Sequence, residues 1–236
     1  MSFDFSVVTF GLPLLLWGLL NTVEFCAISI ALGFGVASLI ALCRLSRSAI
    51  LRVPAGAFVE VLRNTPFLVQ AFLVYFALPR IGVRLDPVSA GLLVLTLYAG
   101  AYFSESVRGA ILSVPKGQLE AARAIGMPHL QAMRRIVFPQ MLGYLIPSLT
   151  NQIIGVIKDS AALSVITVPE VTEAAQTVAG ESFSPIETYT MVALLYWALT
   201  ALLSAGMMRL ERRVVWFAPR VAGEAAAAAV AMQTER

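Results

Sequence analysis

Apolar residues recur along this chain in runs of about twenty, the length at which a helix crosses a hydrocarbon layer of ~30 Å, and the runs predict five spanning helices. The first extends from about Leu14 to Leu42, interrupted only by Asn21, Thr22 and Glu24, and stops at Arg44. A second lies between Thr65 and Leu78, where Asn64-Thr65-Pro66 reads as a capping residue followed by a first-turn proline. It is short unless part of the preceding Ala55 to Leu62 stretch also enters the membrane. The third, fourth and fifth cover Pro87 to Leu112, about Ile136 to Ile157, and about Thr188 to Met208. Between the third and fourth the pattern changes. From Lys116 onward Leu119, Ala122 and Ile125 recur at three-residue spacing, which predicts a short amphipathic helix lying beside the membrane. Gly126 and Pro128 end it, and a new helix starts near His129.

Composition narrows the class. The chain is 58% hydrophobic and only 13% charged, with a mean hydropathy of +0.81, whereas soluble domains carry about 25% charged residues. A soluble fold of this size has no interior large enough for that apolar surface, so the fold class is all-α integral membrane. The net charge of +3 is spread over several loops and does not form the basic stripe that nucleic acid requires. Cys26 and Cys43 fall in one apolar run, about 25 Å apart at ~1.5 Å per residue, too far to bridge. With His129 the single histidine, they have no metal-binding cluster around them. The opening residues MSFDFSVVTF lack the basic start of a signal peptide. A membrane domain over residues 1–213 and a disordered or weakly helical tail over 214–236, alanine-rich from Val221, are therefore expected.

Arginine and lysine placement orients the spans. Arg44, Arg47 and Arg52 follow the first span; Lys116, Arg123, Arg134 and Arg135 follow the third; Arg209, Arg212, Arg213 and Arg220 follow the fifth. These segments share one side, the cytoplasm. The other side receives Arg80, Arg84 and an acidic loop with Glu170, Glu173, Glu181 and Glu187. The N-terminus is then outside, the C-terminus inside, and the amphipathic helix cytoplasmic.

Ionisable groups within spans are costly and mark candidate function. Glu24 reads either as a carboxylate reaching to the outer interface or as a substrate contact, the first being favoured. Glu105 and Arg108 are three apart and pair with each other. Lys158 and Asp159 have apolar sequence on both sides. Either the fourth helix ends there at the outer surface, or it breaks and lines a cavity with them, and the continuing apolar sequence favours the cavity. Asn151 shares the Lys158 face of that helix. Tyr98 and Tyr102 of the third span either face the same pathway or pack as ordinary aromatics.

The segment GQLEAARAIGMPHLQAMRRIVFPQMLGYLIPSLTNQIIGVIKDSAALSVI, Gly117 to Ile166, closely resembles the EAA loop and following helix of bacterial ABC importer permeases of the polar amino acid type. Leu62 to Gln70 (LRNTPFLVQ), Ala101 to Gly109 (AYFSESVRG) and Glu187-Thr188-Tyr189 resemble three further segments of that family, in order, so the likeness runs to about Arg213. Asn64 stands where the family more often has glycine, and Ala161-Ala162 where it commonly has Ser-Leu. The resemblance implies a type I importer permease of about five spans with a cytoplasmic coupling helix in a loop at about 115–135. It implies that Glu120, Ala121, Ala122 and Gly126 dock on a separate ATP-binding subunit. No G-x-x-x-x-G-K-[ST] phosphate loop is present, so ATP and Mg belong to that partner, this chain is non-catalytic, and it needs no cofactor of its own. The other implied partners are a second permease chain, identical or homologous, an extracytoplasmic solute-binding protein, and a polar amino acid, with an opine or another small polar solute as alternative. The implied location is the bacterial inner membrane. An ion-coupled transporter or channel is the reading from another class; it calls for internal repeats or more buried charges than the spans contain.

Overall fold

In the computed structural model, which describes residues 5 to 214, the described chain is helical with no strand. The tail expected beyond residue 213 lies, apart from Val214, outside the described residues. Helix α1 (Phe5–Leu45) has 41 residues, about 60 Å at ~1.5 Å per residue, so it is tilted in the bilayer or runs past it. It starts well before the expected Leu14 because apolar residues continue back to Phe5 and Pro13 sits inside the helix without ending it. Its main neighbour is α4 (Pro87–Ser113). Ser29, Gly33, Ala37 and Ala41 make a buried small-residue stripe along α1. A Cβ on Gly33 would stand 2.9 Å from the Ala99 Cβ and 3.2 Å from the Thr96 carbonyl oxygen, so the two backbones meet there only because the side chain is absent. Such close approach is what holds helices together in lipid, where apolar exclusion offers nothing. Asp86 caps α4, accepting the Ser89 N–H at 3.1 Å, and hydrogen bonds from the Ser89 side chain and backbone hold its carboxyl below the usual carboxylate range.

The second span is not a single helix opened by Asn64. α2 (Ala49–Asn64) ends at Asn64, and after a turn of 109° the chain continues through Phe67–Ile81 as α3 (Phe67–Phe72), a π turn (Leu73–Ala77) and a 3₁₀ turn (Leu78–Ile81). Pro66 has no N–H to donate and pushes Thr65 into extended geometry, ψ 138. The carbonyls released at the end of α2 are met by Gln70, 6% exposed. Its Nε2 donates to the Leu62 oxygen at 2.7 Å and the Thr65 oxygen at 2.9 Å.

After α5 (Lys116–Ala124), the chain forms α6 (His129–Ala132), a π turn (Met133–Val137), α7 (Phe138–Asp159) and a 3₁₀ turn (Ser160–Ile166), one uninterrupted rod. The rod passes straight through Lys158 and Asp159. The break comes later, at Thr167, which sits in the left-handed region (φ 59), and the path bends by 51° into α8 (Val171–Ser182). The segment expected as an acidic outer loop is largely this helix. It packs against the N-terminal half of α1 and the start of α9 (Pro185–Val214) through a core that includes Leu15, Val171, Ala175, Val178 and Met191. Among the described residues three helices are long and apolar enough to span alone, and up to five spans result when each bent pair counts as one.

Candidate functional site

α5 stands off the bundle and ends in a closed turn. Gly126 adopts φ +84, its N–H donates to the Arg123 oxygen at 3.0 Å, and the Met127 N–H donates to the Ala122 oxygen at 3.1 Å. That pair is the Schellman arrangement, which needs a residue free of the Cβ penalty at the left-handed position. Of the four residues implied as docking contacts, Glu120, Ala121 and Gly126 are exposed, while Ala122 is only 2% exposed and faces the bundle. Ala122 therefore seats the helix and leaves contact to the others. Ile125, expected on the inward stripe with Leu119 and Ala122, is instead 76% exposed. The helix ends one residue before it, so the three-residue spacing no longer governs its direction.

Along one face of α4, Tyr98, Tyr102 and Glu105 follow each other at spacings of four and three. The Tyr98 hydroxyl donates to Asp159 Oδ2 at 2.7 Å, joining α4 to the end of α7. The Tyr98 and Tyr102 rings lie 4.6 Å apart, and the Arg63 guanidinium covers the Tyr102 ring at 5.2 Å. Glu105 binds Arg108 at 2.8 Å, as expected, and also Arg44 of α1. Arg44, Arg63, Tyr102 and Glu105 border a cleft of about 400 Å³ shared with Glu60 and Asn64. Below it, Ser106 and Ser148 share a hydrogen bond of 2.7 Å beside a second polar groove lined by Tyr144 and Gln152. The stripe thus presents charged and hydrogen-bonding groups. Among the described residues no cluster of three His, Cys, Asp or Glu is arranged to hold a metal.

A third constellation was not anticipated. Glu170, assigned to a solvated loop by its sequence surroundings, is 2% exposed. Its Oε1 accepts the Glu173 N–H at 2.9 Å and caps α8, while its Oε2 accepts the Tyr196 hydroxyl at 3.1 Å. Alongside, Thr22 Oγ1 accepts the Val171 N–H at 3.1 Å. Glutamate is not among the usual helix-capping residues, so no local signal announced the Glu170 cap, nor its neighbours Tyr196 and Thr22.

The family model for the binding-protein-dependent transport system inner membrane component matches residues 29–216. The chain belongs to this family. It is 36% identical to the glutamine transport system permease protein GlnP of Escherichia coli (strain K12), over 91% of this chain and 99% of that one. It is 37% identical to the L-cystine transport system permease protein TcyB of Bacillus subtilis (strain 168), over 86% and 87%. A crystal structure of an amino acid ABC transporter with histidines superimposes with a TM-score of 0.85 at 33% identity, covering 90% of this chain and all of that one. An inward-facing MetNI methionine ABC transporter shares the fold, with a TM-score of 0.72 at 23% identity.

In this permease the remaining candidates separate. Asp159 and Tyr98 are brought together, Tyr102 packs tilted against Tyr98, and Lys158 and Asn151 are exposed on α7. Glu24 belongs elsewhere: it is exposed and lines a mostly apolar groove with Trp17 and Asn21. For the α8 cap, Glu170→Ala removes the cap and leaves the Tyr196 hydroxyl unpaired, an expected loss of about 2–4 kcal/mol. Thermal unfolding in detergent is expected to show a lower midpoint for Glu170→Ala and a smaller decrease for Glu170→Gln, which keeps an acceptor. A midpoint equal to the parent's in Glu170→Ala would remove the carboxylate from the list of structural anchors.

Proposed function

We propose that this permease forms half of the pathway of an ATP-driven importer that carries a polar amino acid. Its exposed α5, closed by Gly126, docks on a separate ATP-binding subunit, and an extracytoplasmic binding protein delivers the solute. The observation that carries this reading is the outward face of α5, with Glu120, Ala121, Ile125 and Gly126 exposed on a short helix whose inner side is seated by Ala122. Exposed polar residues on α7, Asn151 and Lys158, are costly against lipid, which supports a second permease chain, identical or homologous, covering that face around a hydrated path. The substrate class rests on the glutamine and L-cystine relatives and on a physical fit. A zwitterion needs both charges matched when it leaves water, and Lys158 and Asp159 offer one of each sign. An opine or another small polar solute meets the same chemistry. Nucleotide and Mg belong to the partner on this reading.

The arginine distribution supports an outside N-terminus and a cytoplasmic α5. A cysteine at Ser48 is expected to be shielded from an impermeant thiol reagent in intact cells, and one at Val83 to react; the reverse pattern would overturn the orientation.

Gly126→Leu forces a side chain into the left-handed region at a cost of about 1–2 kcal/mol and opens the α5 stop. Transport and co-purification of the ATPase are expected to decrease while membrane insertion is retained. Unchanged uptake and association would make the segment a solvated loop with no partner.

Asp159→Ala and Lys158→Ala are each expected to slow initial amino acid uptake in proteoliposomes of the whole complex by roughly tenfold, the equivalent of about 1.4 kcal/mol. Assembly and solute capture by the binding protein are expected to be normal. Parental rates in both variants would leave Asp159 as a Tyr98 partner only and remove the pair from the pathway.

A further inference from the structure

The two sides of the α4–α7 seam differ in character. One holds the Ser106 to Ser148 bond and the polar groove. On the other, Val107 and Ile111 point roughly a third of a turn around α4 from Ser106 and wall an apolar groove of about 530 Å³ with Leu42, Met133 and Phe138. Its polar members are Ser38 and Arg134. The Ser38 hydroxyl is already spent on the Phe34 carbonyl at 2.9 Å, so the groove floor asks for no polar partner. Arg134 is exposed and makes no ion pair among the described residues.

Three observations select the occupant. The groove opens where the helices leave the hydrocarbon, since Leu42 is next to the α1 end at Leu45 and Ile111 next to the α4 end at Ser113. It continues the outer apolar face of α1, where Leu39 is 67% and Leu42 63% exposed. A lone unpaired guanidinium marks its rim, and basic groups at such positions meet lipid phosphates. A second permease chain fits the polar side of the seam better, because that side is the one lipid cannot cover.

We propose that this groove is an anionic-phospholipid site in the leaflet beside α5. One acyl chain lies between Leu42, Val107, Ile111 and Phe138, and Arg134 holds the phosphate. Because Arg134 belongs to the π turn between α6 and α7, the bound lipid ties the base of the α5 segment to α1 and α4.

The test uses the full chain reconstituted with equal amounts of dioleoyl phosphatidylglycerol and dioleoyl phosphatidylcholine in both leaflets, so orientation does not enter. After release into mild detergent, native mass spectrometry is expected to find phosphatidylglycerol retained several-fold over phosphatidylcholine. Arg134→Gln is expected to bring that ratio close to one and Arg134→Lys to keep most of it. Ile111→Trp, which fills the groove, should lower retention of both lipids, and Arg84→Gln on the opposite loop should leave the ratio as in the parent. Equal retention by the parent, an unchanged preference in Arg134→Gln, or full retention in Ile111→Trp would each overturn the site. Displacement of the lipid by excess inorganic phosphate would reduce it to a bare anion contact, and a dimer that retains no lipid would give the groove to a second copy.

Discussion

Every backbone N–H and C=O inside a bilayer must find a partner within the protein, because no water is there to substitute. In unbroken helices the requirement is met automatically. This permease bends two of its five spans, and at each bend a buried side chain takes over the missing bonds. Gln70 reaches back across Thr65 and Pro66 to carbonyls at the end of α2. Glu170 and Thr22 together receive the first N–H groups of α8. Replacing either set by apolar residues would leave groups unpaired in hydrocarbon, and the chain would then favour straight helices over bent ones.

The bends matter because of what they put side by side. Turning at Pro66 brings Arg63 over the Tyr102 ring. Carrying the rod past Lys158 before bending keeps Asp159 beside Tyr98. The contact between α1 and α4 at Gly33 is tight enough that Arg44 reaches Glu105 at their common end. Packing with small residues, satisfied bends and the polar stripe are therefore one arrangement, with α4 as its spine.

Much of this was legible along the chain, and the limits follow from distance. Spans one, three and five depend on local hydropathy, the α5 stop on Gly126 and Pro128, and the Glu105 to Arg108 pair on helical spacing; each is a short-range property. Proline at position 66 was correctly read as punctuation, and a helix does start after it at Phe67, but a local pattern does not show that α2 ends at Asn64 or that the turn between them is 109°. Glu170 misled because its partners are remote: Thr22, which receives the neighbouring Val171 N–H, is 149 positions from it, and Tyr196 is 26 from Glu170. Surrounding acidic residues suggested water, whereas those long-range hydrogen bonds bury the group. Ile125 shows the same limit on a smaller scale, because the helix ends one residue before it and leaves it facing out while Ala122 faces in.

The uninterrupted rod gives the α5 reading a mechanical consequence. If α5 is where the ATPase pushes, its motion enters the membrane domain at the start of α6 and travels along α7, whose helical path continues to Asp159 although Pro147 leaves one backbone bond unmade. Departures from α-helical bonding occur at both ends of α7: the π turn at Met133–Val137 and the 3₁₀ turn at Ser160–Ile166. Such turns exchange one hydrogen-bond register for another at low cost, so rotation is more easily absorbed there than in the helix between them. Beyond Thr167, α8 is fastened to α1 and α9 by Thr22 and Tyr196. A stiff α7 between two adjustable turns, with the far end anchored, directs relative motion to the polar contacts that α7 shares with α4, the Ser106 to Ser148 and Tyr98 to Asp159 hydrogen bonds.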